Sequence, residues 1–289
     1  MGTSLPRGLP TQLLDAWHIE QAVPVSGGCI ARSWRVETST GTIFVKSHDD
    51  PPAGLFDSEA AGLTALRDTG AMRVPRVLAA SPAGLVMEWI DLSGVGREQA
   101  DREADFGARL AALHRHTGTA FGSVNGATTG YLGSVSIDLT PSATWAESYL
   151  QRRVRPLVQQ AVQERGLDAA AVAHVEELIA SPEVCGPPEP PTLVHGDLWS
   201  GNRLIDADGR SWLIDPSAHY GHRESDLAMM RLFGGFGEEV FAAYHEALPL
   251  APGWDDRVLL HQVVPLAVHV ILFGSSYEPA LMRALRSLL

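Results

Sequence analysis

Residues 193–215, LVHGDLWSGNRLIDADGRSWLID, place two carboxylates and one carboxamide among short apolar runs of chain. The first apolar run leads into Asp197, and Asn202 follows in the same loop. A second apolar run ends at Asp215. An apolar strand fixes the position of the residue that follows it, so Asp197 is expected to be exposed but held in place.

The second half of this stretch has the pattern of a β-hairpin. Residues 203–206 and 211–214 are strand-like, and Asp208-Gly209 between them is a common turn pair. Pairing of these two strands would bring their outer ends together. Asn202 and Asp215 are therefore predicted to lie at neighbouring strand ends, on the same side of the hairpin.

These three polar side chains meet the requirements of phosphoryl transfer. A carboxylate can accept the proton of an attacking hydroxyl group, which makes Asp197 the predicted catalytic base. A carboxamide oxygen and a second carboxylate suit magnesium, which makes Asn202 and Asp215 the predicted metal ligands. The alternative is an ordinary hairpin with solvated acidic side chains. The strand before Asp215 and the His-Gly pair before Asp197 favour a kinase.

Three segments of the C-terminal half resemble one family. They are HGDLWSGN at 195–202, IDPSAHYGHRESDLAM at 214–229 and LFGGF at 232–236. Together they resemble the fructosamine kinase (ketosamine 3-kinase) family, a branch of the protein-kinase-like fold beside the aminoglycoside phosphotransferases. The HGDxxxxN pattern alone indicates only the wider superfamily, whereas the WSG and YGH triplets are the narrower signature.

The resemblance implies an α+β, two-lobed protein-kinase-like fold. Residues 1–90 are expected to form an N-lobe with a small antiparallel sheet. Residues 91–289 are expected to form a mostly helical C-lobe that contains the catalytic loop and the metal-binding hairpin. Gly94 and Gly96 agree with a lobe boundary just after residue 90. A length of 289 residues is sufficient for two lobes with a shared cleft.

The N-terminal part contains a candidate phosphate site. Gly27 and Gly28 lie between strand-like runs, where a glycine pair either lets the backbone approach phosphates or forms a hairpin turn. Lys46 ends the run IFVK, where kinases have the lysine that binds the α- and β-phosphates. Glu59, in the next predicted helix, is assigned as its ion-pair partner. Otherwise Lys46 is solvated, and Glu59 interacts only with its own helix N-terminus.

The strand-like run 85–90 is expected to leave the N-lobe and to end in a hinge. The resemblance places the adenine of ATP there, beside Met87, Glu88 and Ile90. Such contacts use backbone groups, so the side chains do not reveal them.

On the acceptor side, the resemblance implies a ketosamine, a sugar linked to an amine by glycation, with ATP and Mg²⁺ as cofactors. Phosphorylation of its 3-hydroxyl group implies deglycation and protein repair, with free or protein-bound adducts as substrates. Trp199 either contacts this acceptor or packs the catalytic loop. The chain departs from the family pattern at GYLG, residues 130–133, which leaves the acceptor open. The alternatives are a small-molecule kinase of the aminoglycoside or choline type and, less favoured, a nucleotide-binding pseudokinase.

Only a short segment separates Asp215 from Asp226. A regulated protein kinase has a longer activation segment here, with a phosphorylation site and an APE element. The chain has neither, so a constitutively assembled site and a small or flexible acceptor are expected. Asp226, near a predicted helix start, is expected to anchor or cap the catalytic loop.

The composition argues against several other classes of protein. With a net charge of −12 and no basic run longer than residues 152–155, nucleic acid is not an expected partner. The apolar run 263–273 is too short to span a membrane, so no membrane partner is expected. Cys29 and Cys185 are too few for a disulfide framework and fit a cytoplasmic protein. Cys29 is expected to be a buried inert thiol or, if exposed, an oxidisable one.

Apolar periodicity predicts helices over residues 9–17, 99–116 and 145–162, the last interrupted at Pro156. The arginines at 152, 153 and 155 are expected on the solvated surface. His114 and His116 are expected to cap their helix or to lie on the surface.

Overall fold

The computed structural model describes residue 6 and residues 8–25, 31–92 and 99–289. The first part is a five-stranded antiparallel sheet with the strand order β1-β2-β3-β5-β4. Its strands are β1 (Ile19–Pro24), β2 (Arg32–Thr38), β3 (Gly41–Ser47), β4 (Val77–Ser81) and β5 (Gly84–Glu88). One helix, α1 (Leu55–Asp68), connects β3 to β4.

Alternating side chains give this sheet two different faces. One face contributes Trp34, Val36 and Val45 to a small apolar core. On the opposite face of β3, Phe44 packs against a second core, and Lys46 reaches α1. The strand therefore places a lysine at the boundary between the sheet and the rest of the chain.

Helix α1 packs against both parts of the molecule. Its residues Phe56 and Leu63 are buried in a core that also contains Leu193 from the C-terminal half. Gly62 allows close approach, because a Cβ atom there would lie 3.0 Å from the Cβ atom of Ala218. The position of α1 is therefore set by the C-terminal half as well as by the sheet.

The second part is mostly helical. Its helices are α2 (Gln99–Leu113), α3 (Arg155–Arg165), α4 (Ala170–Ala180), α5 (Glu224–Phe233), α6 (Glu238–Ala247), α7 (Trp254–Phe273) and α8 (Glu278–Ser287). A π-helical segment, Glu147–Val154, precedes α3. Helix α2 packs on α6, while α3, α5 and α8 pack on α7. The predicted α+β fold, a small antiparallel sheet followed by a mostly helical part, is confirmed.

Short strands support the loops of this helical part. Strands β6 (Gly122–Ser123), β9 (Thr192–Val194) and β12 (His219–Gly221) form a sheet in the order β6-β12-β9. Strands β7 (Thr129–Leu132) and β8 (Val135–Asp138) form one hairpin, and β10 (Arg203–Ile205) and β11 (Ser211–Leu213) form another. The second is the predicted hairpin. Its strands end earlier than predicted, because the Asp206 side chain accepts hydrogen bonds from the N–H groups of Asp208 and Arg210 and turns the chain.

Helix α7 contains Pro265 and is mostly buried. Among the described residues it is the one helix long and apolar enough to cross a membrane by length and composition alone. Of that window, 67% is buried inside the protein, as in the core helices of soluble proteins. The buried leucine, valine, alanine and isoleucine residues of α7 lie in the largest apolar core, together with residues of α3 and α8.

Three structural expectations away from the candidate active site were wrong. The predicted helix over 9–17 is a single 3-10 turn, Thr11–Leu14, because the chain must turn into β1 soon afterwards. Pro156 does not end the helical run, because the chain passes from the π-helical segment directly into α3 and Pro156 lies in the first turn of α3. Arg153 is buried, with its guanidinium group 5.0 Å from the ring centroid of Trp145, because the π-helical segment places it inside the fold.

Candidate active site

The loop that contains Asp197 is fixed by the side chain of Asp226, in the first turn of α5. Asp226 accepts hydrogen bonds from the N–H groups of His195 at 2.7 Å and Gly196 at 2.8 Å. Gly196 has a φ of +79°, and a Cβ atom there would lie 2.1 Å from the carbonyl oxygen of Ser217. The loop therefore requires glycine immediately before Asp197. Asp226 is the loop anchor that the sequence predicted.

His114 supports the same anchor, contrary to the prediction of a surface position. Its Nε2 atom lies 3.2 Å from the carboxylate of Asp226, and its Nδ1 atom lies 2.8 Å from the hydroxyl oxygen of Tyr244. Burial opposes ionisation of Asp226, but the contact with His114 and the hydrogen bonds of the loop outweigh it and lower the pKa of Asp226. His114 is buried because α2 packs on α6, a long-range contact that helical periodicity does not reveal.

Asp197 lies partly buried beside Asn202. The Nδ2 atom of Asn202 donates to the backbone oxygen of Asp197 at 2.9 Å and to its carboxylate oxygen Oδ2 at 3.1 Å. Burial raises the pKa of Asp197 to about 7, the hydrogen bond from Asn202 opposes this rise, and the charge of Asp215 adds to it. A carboxylate with a pKa near neutrality is well matched to proton transfer at neutral pH.

Asn202 and Asp215 lie at neighbouring strand ends, because the N–H group of Ile214 donates to the carbonyl oxygen of Asn202 at 3.1 Å. The Nδ2 atom of Asn202 is committed to Asp197, which leaves its side-chain oxygen as a ligand. Asp215 has a φ of +52° and is the only non-glycine residue with a positive φ in the described part of the chain. Backbone strain of this kind is typical of functional sites. The two oxygen donors fit the preference of Mg²⁺.

Lys46 lies between α1 and the hairpin of β10 and β11. Its Nζ atom donates to both carboxylate oxygens of Glu59, at 2.8 and 2.9 Å, and lies 3.1 Å from the Oδ1 atom of Asp215. Burial alone would lower the pKa of Lys46, but the charges of Asp215 and Glu59 outweigh burial and raise it. Lys46 is therefore a permanent cation next to the predicted metal ligands.

A cavity of about 650 Å³ joins these groups. The predicted site residues that line it are Lys46, Glu59, Asp197, Trp199, Asn202 and Asp215. The predicted hinge residues do not line this cavity. The glycines of the predicted phosphate loop, Gly27 and Gly28, lie outside the described residues, as does Cys29. The structure thus brings the candidate base, metal ligands and ion pair into one cleft.

The hinge candidates lie at the end of β5 and just after it. Met87 is buried and pairs with Phe44 across the sheet, while Ile90 is half-buried. The N–H group of Glu88 donates to the carbonyl oxygen of Arg76 at 3.0 Å, and its carboxylate accepts from the N–H group of Arg76 at 2.8 Å. A base contact at Glu88 would therefore use its carbonyl oxygen. Binding of adenine at this hinge stays a prediction.

Phe44 is a candidate that the sequence reasoning missed. It precedes Lys46 by two residues on β3, so both side chains lie on the same face of the sheet. Its ring centroid lies 6.5 Å from that of Trp89, which follows β5. Phe44 does not line the cavity, and it stays a candidate for stacking on a nucleobase because it lies on the Lys46 face of the sheet, beside Trp89. The alternation of side chains around Lys46 was the signal that could have identified it.

The other end of the cavity has an aromatic wall, which consists of Trp199, Phe233, His269, Phe273 and Tyr277. The ring centroid of His269 lies 4.9 Å from Phe233, 5.4 Å from Phe273 and 4.8 Å from Tyr277. Trp199 joins this wall through Phe233, at 6.3 Å between centroids. Phe273 is 46% exposed, so the wall is open to solvent at that point. No sequence motif connects these residues, which come from three separate segments.

Trp199 takes part in both of the roles that the sequence left open. It is 39% exposed and lines the cavity. It also covers Gly201, where a Cβ atom would lie 2.2 Å from the indole ring. The indole ring therefore packs against the loop at Gly201 and also borders the cavity.

The chain matches the fructosamine kinase family over residues 1–289. It is 36% identical over 281 residues to a Lactiplantibacillus plantarum protein named as a probable ketoamine kinase, and the match covers 94% of this chain and 95% of the relative. It is 29% identical to the ketosamine-3-kinase of Mus musculus, with 91% of this chain and 93% of the relative covered.

Solved structures give the same result. A crystal structure from Thermobifida fusca, assigned as a fructosamine-3-kinase, matches with a TM-score of 0.85 at 39% identity over 96% of both chains. An aminoglycoside phosphotransferase matches with a TM-score of 0.63 at 15% identity, over 97% of this chain and 98% of that one. The second likeness identifies the protein-kinase-like fold alone. The first, together with the match over the whole sequence, shows that the chain belongs to the fructosamine kinase family.

Proposed function

We propose that this chain is an ATP-dependent kinase that phosphorylates the 3-hydroxyl group of ketosamines, free or protein-bound. The observation that carries the proposal is one cleft in which Asp197, Asn202 and Asp215 lie beside the Lys46–Glu59 ion pair. The same cleft opens into a cavity large enough for a sugar. Membership of the family and the names of the relatives support a ketosamine as the acceptor.

On the nucleotide side, Lys46 binds the α- and β-phosphates and Glu59 keeps it in position. Asn202 and Asp215 would hold Mg²⁺, which would neutralise charge on the triphosphate. Phe44 stacks on the base. The remaining nucleotide contacts are assigned to the phosphate loop and the hinge, at Gly27, Gly28, Met87, Glu88 and Ile90.

In the chemical step, Asp197 accepts the proton of the acceptor 3-hydroxyl group as its oxygen attacks the γ-phosphorus of ATP. The bond from that phosphorus to the bridging oxygen breaks, and ADP leaves with the electron pair. The N–H groups that Asp226 holds keep the Asp197 loop in place, so the carboxylate is positioned before the acceptor arrives. The aromatic wall, which includes Trp199, contacts the acceptor.

The product carries a phosphate ester next to the ketone carbon of the sugar. Loss of a proton from the carbon that bears the amine gives an enaminol, which expels the 3-phosphate as inorganic phosphate and leaves an unsaturated iminium. Water then hydrolyses the C–N bond, which releases the amine and a 3-deoxy dicarbonyl sugar. The proposed role is therefore deglycation and repair of glycated amines.

Two further assignments belong to the proposal. The lobes are taken to be residues 1–90 and 91–289, which agrees with a sheet that ends at Glu88 and a helix that begins at Gln99. The enzyme is taken to work in the cytoplasm, where its free, buried Cys185 stays reduced.

The proposal is tested by ATP consumption with Mg²⁺ against fructosamine and ribulosamine adducts of lysine, an aminoglycoside, choline and free ribose. We expect turnover on the ketosamines alone, with phosphate on the third carbon by NMR. Turnover on another acceptor alone would assign the chain to another class of small-molecule kinase. No turnover on any acceptor, with ATP still bound, would indicate a pseudokinase.

A further inference from the structure

A hydrogen bond joins the two parts of the molecule beside the cleft. The hydroxyl group of Tyr131, on β7, donates to the carbonyl oxygen of Ala53 at 2.8 Å. Ala53 immediately precedes Gly54, the N-cap residue of α1. The hairpin of β7 and β8 therefore contacts the start of the helix that carries Glu59.

The hairpin of β7 and β8 is fixed in the helical part by buried side chains and regular strand pairing. Leu132, Val135 and Ile137 are buried in the largest apolar core of the helical part. The strands pair in regular register from Thr129 to Asp138. Because the hairpin is fixed in the helical part, the Tyr131 hydroxyl group fixes Ala53 relative to that part.

The N-terminus of α1 has no side-chain cap. Its N-cap residue is Gly54, with a φ of +83° and no side-chain capping hydrogen bond. The N–H group of Leu55 donates to the carbonyl oxygen of Pro52 at 3.1 Å, so a backbone turn leads into the helix. Tyr131 adds a side-chain contact from the helical part to this turn, because Ala53 lies within it.

Glu59 lies between two points at which α1 contacts the helical part. One is the Tyr131 hydrogen bond to Ala53, before the first turn. The other is the close approach of Gly62 to Ala218, one turn beyond Glu59. Fixing the helix on both sides keeps the Glu59 carboxylate against Lys46.

We propose that Tyr131 is a positioning residue for phosphoryl transfer, because it ties the start of α1 to the helical part and so keeps the Glu59–Lys46 ion pair assembled. The inference rests on the proposed function. Tyr131 lies in the GYLG segment, residues 130–133. This contact would also keep the ion pair assembled without an activation segment.

Tyr131, Leu132 and Gly133 also line the cavity, so a second role has to be separated from the first. A positioning role through Glu59 lowers kcat and leaves the KM for the acceptor unchanged. A role as a wall of the acceptor cavity raises that KM and leaves kcat unchanged.

The test is Tyr131→Phe, which keeps the ring and removes only the hydroxyl group. We expect kcat to fall about 5-fold, the effect of losing one neutral hydrogen bond, with the acceptor KM within about 2-fold of wild type. Hydrogen exchange of the N–H groups in the first turn of α1 should become faster. Ser136→Ala is the matched control, because Ser136 is exposed and lies opposite Tyr131 in the same hairpin. It should leave both readouts unchanged.

A double-mutant cycle with Glu59→Gln tests the route of the effect. If Tyr131 acts through Glu59, Tyr131→Phe should change kcat by less than about 2-fold once Glu59 is altered. Full additivity of the two substitutions would overturn the proposal, as would an unchanged kcat in Tyr131→Phe. A lower melting temperature with unchanged kinetic constants would also overturn it, because it would show a purely structural role.

Failure of the proposed function gives a different result from failure of this inference. In that case wild type itself would not turn over ketosamines, and the cycle would be run on the acceptor that the panel identifies. Were no acceptor found, the affinity for Mg²⁺ and an ATP analogue would replace kcat, since the ion pair contacts the phosphates. The inference predicts the same non-additive pattern in that affinity, and additive effects would overturn it.

Discussion

The two ends of the cleft are built from different interactions. At the phosphate end, Lys46, Glu59 and Asp215 form short ion pairs, and Asn202 donates to Asp197. At the acceptor end, the aromatic wall consists of partly exposed rings in van der Waals contact. Side chains held by short ion pairs can align the reacting groups, whereas exposed aromatic rings can adjust to the acceptor. The phosphate end should therefore determine kcat and the aromatic wall should determine the KM of the acceptor.

The largest expected effect is that of Asp197→Asn. The amide cannot accept the hydroxyl proton, so kcat should fall by about 10³-fold while the Kd for an ATP analogue stays within about 2-fold. Single-turnover kinetics and calorimetry measure the two quantities. Asp208→Asn, an exposed acid in the turn of the same hairpin, is the matched control and should behave as wild type. A variant at Asp197 with normal turnover would remove it from the role of base.

Asp215→Asn should have the next largest effect, because it removes the charge proposed to hold Mg²⁺ but keeps an oxygen ligand. We expect kcat/KM to fall about 10²-fold and the Mg²⁺ concentration for half-maximal activity to rise. Titration of activity with Mg²⁺ gives both values. Loss of activity without a change in Mg²⁺ dependence would contradict the assignment of Asp215 as a metal ligand.

The phosphate end could be predicted from the sequence because its parts are local. Asp197, Asn202 and Asp215 lie in one loop and hairpin, and Lys46 is marked by the apolar run IFVK that it ends. The aromatic wall could not be predicted, since Phe233, Phe273 and their neighbours meet only when α5 and α7 pack together.

Burial was the other property that sequence reasoning missed. His114 was expected to cap its helix or to lie on the surface, and Arg153 was expected to be solvated, yet both are buried. The packing of α2 on α6 encloses His114, and a π-helical segment turns Arg153 inward. Both depend on tertiary contacts or on an irregular backbone, which a helical period of 3.6 residues does not encode.

The pKa of Asp197 predicts how the phosphate end responds to pH. The base must be ionised to accept a proton, and burial raises its pKa from 3.8 to about 7. Activity should therefore be lost as the pH falls through about 7, and kcat/KM should drop about 10-fold for each further unit of pH. The pH profile of kcat/KM from pH 5 to 9 measures this limb. A profile that stays flat down to pH 5 would contradict a raised pKa.

A smaller effect is expected at the aromatic wall. Phe273→Ser removes an exposed ring, so the KM for a lysine ketosamine should rise about 5-fold, with kcat and the KM for ATP unchanged. Leu259→Ser is the matched control, because Leu259 is another exposed apolar residue of α7 and does not line the cavity. Equal changes in the KM for ATP and for the acceptor would show that the two ends of the cleft are not separate.

The smallest expected effect concerns stability at the phosphate end. Because folding raises the pKa of Asp197, its ionised form is disfavoured in the folded state, and the resulting stability penalty develops as the pH rises from about 4 to about 7. Asp197→Asn has no such penalty and can still accept the hydrogen bond from Asn202. The variant should match wild type below about pH 4 and exceed it by about 1 kcal/mol above pH 7, allowing for screening of this partly exposed group by solvent. Urea unfolding at pH 4 and pH 8 measures the difference. A variant less stable than wild type at pH 8 would mean that the Asp197 carboxylate is stabilised by its neighbours, and that the phosphate end was not built at the expense of stability.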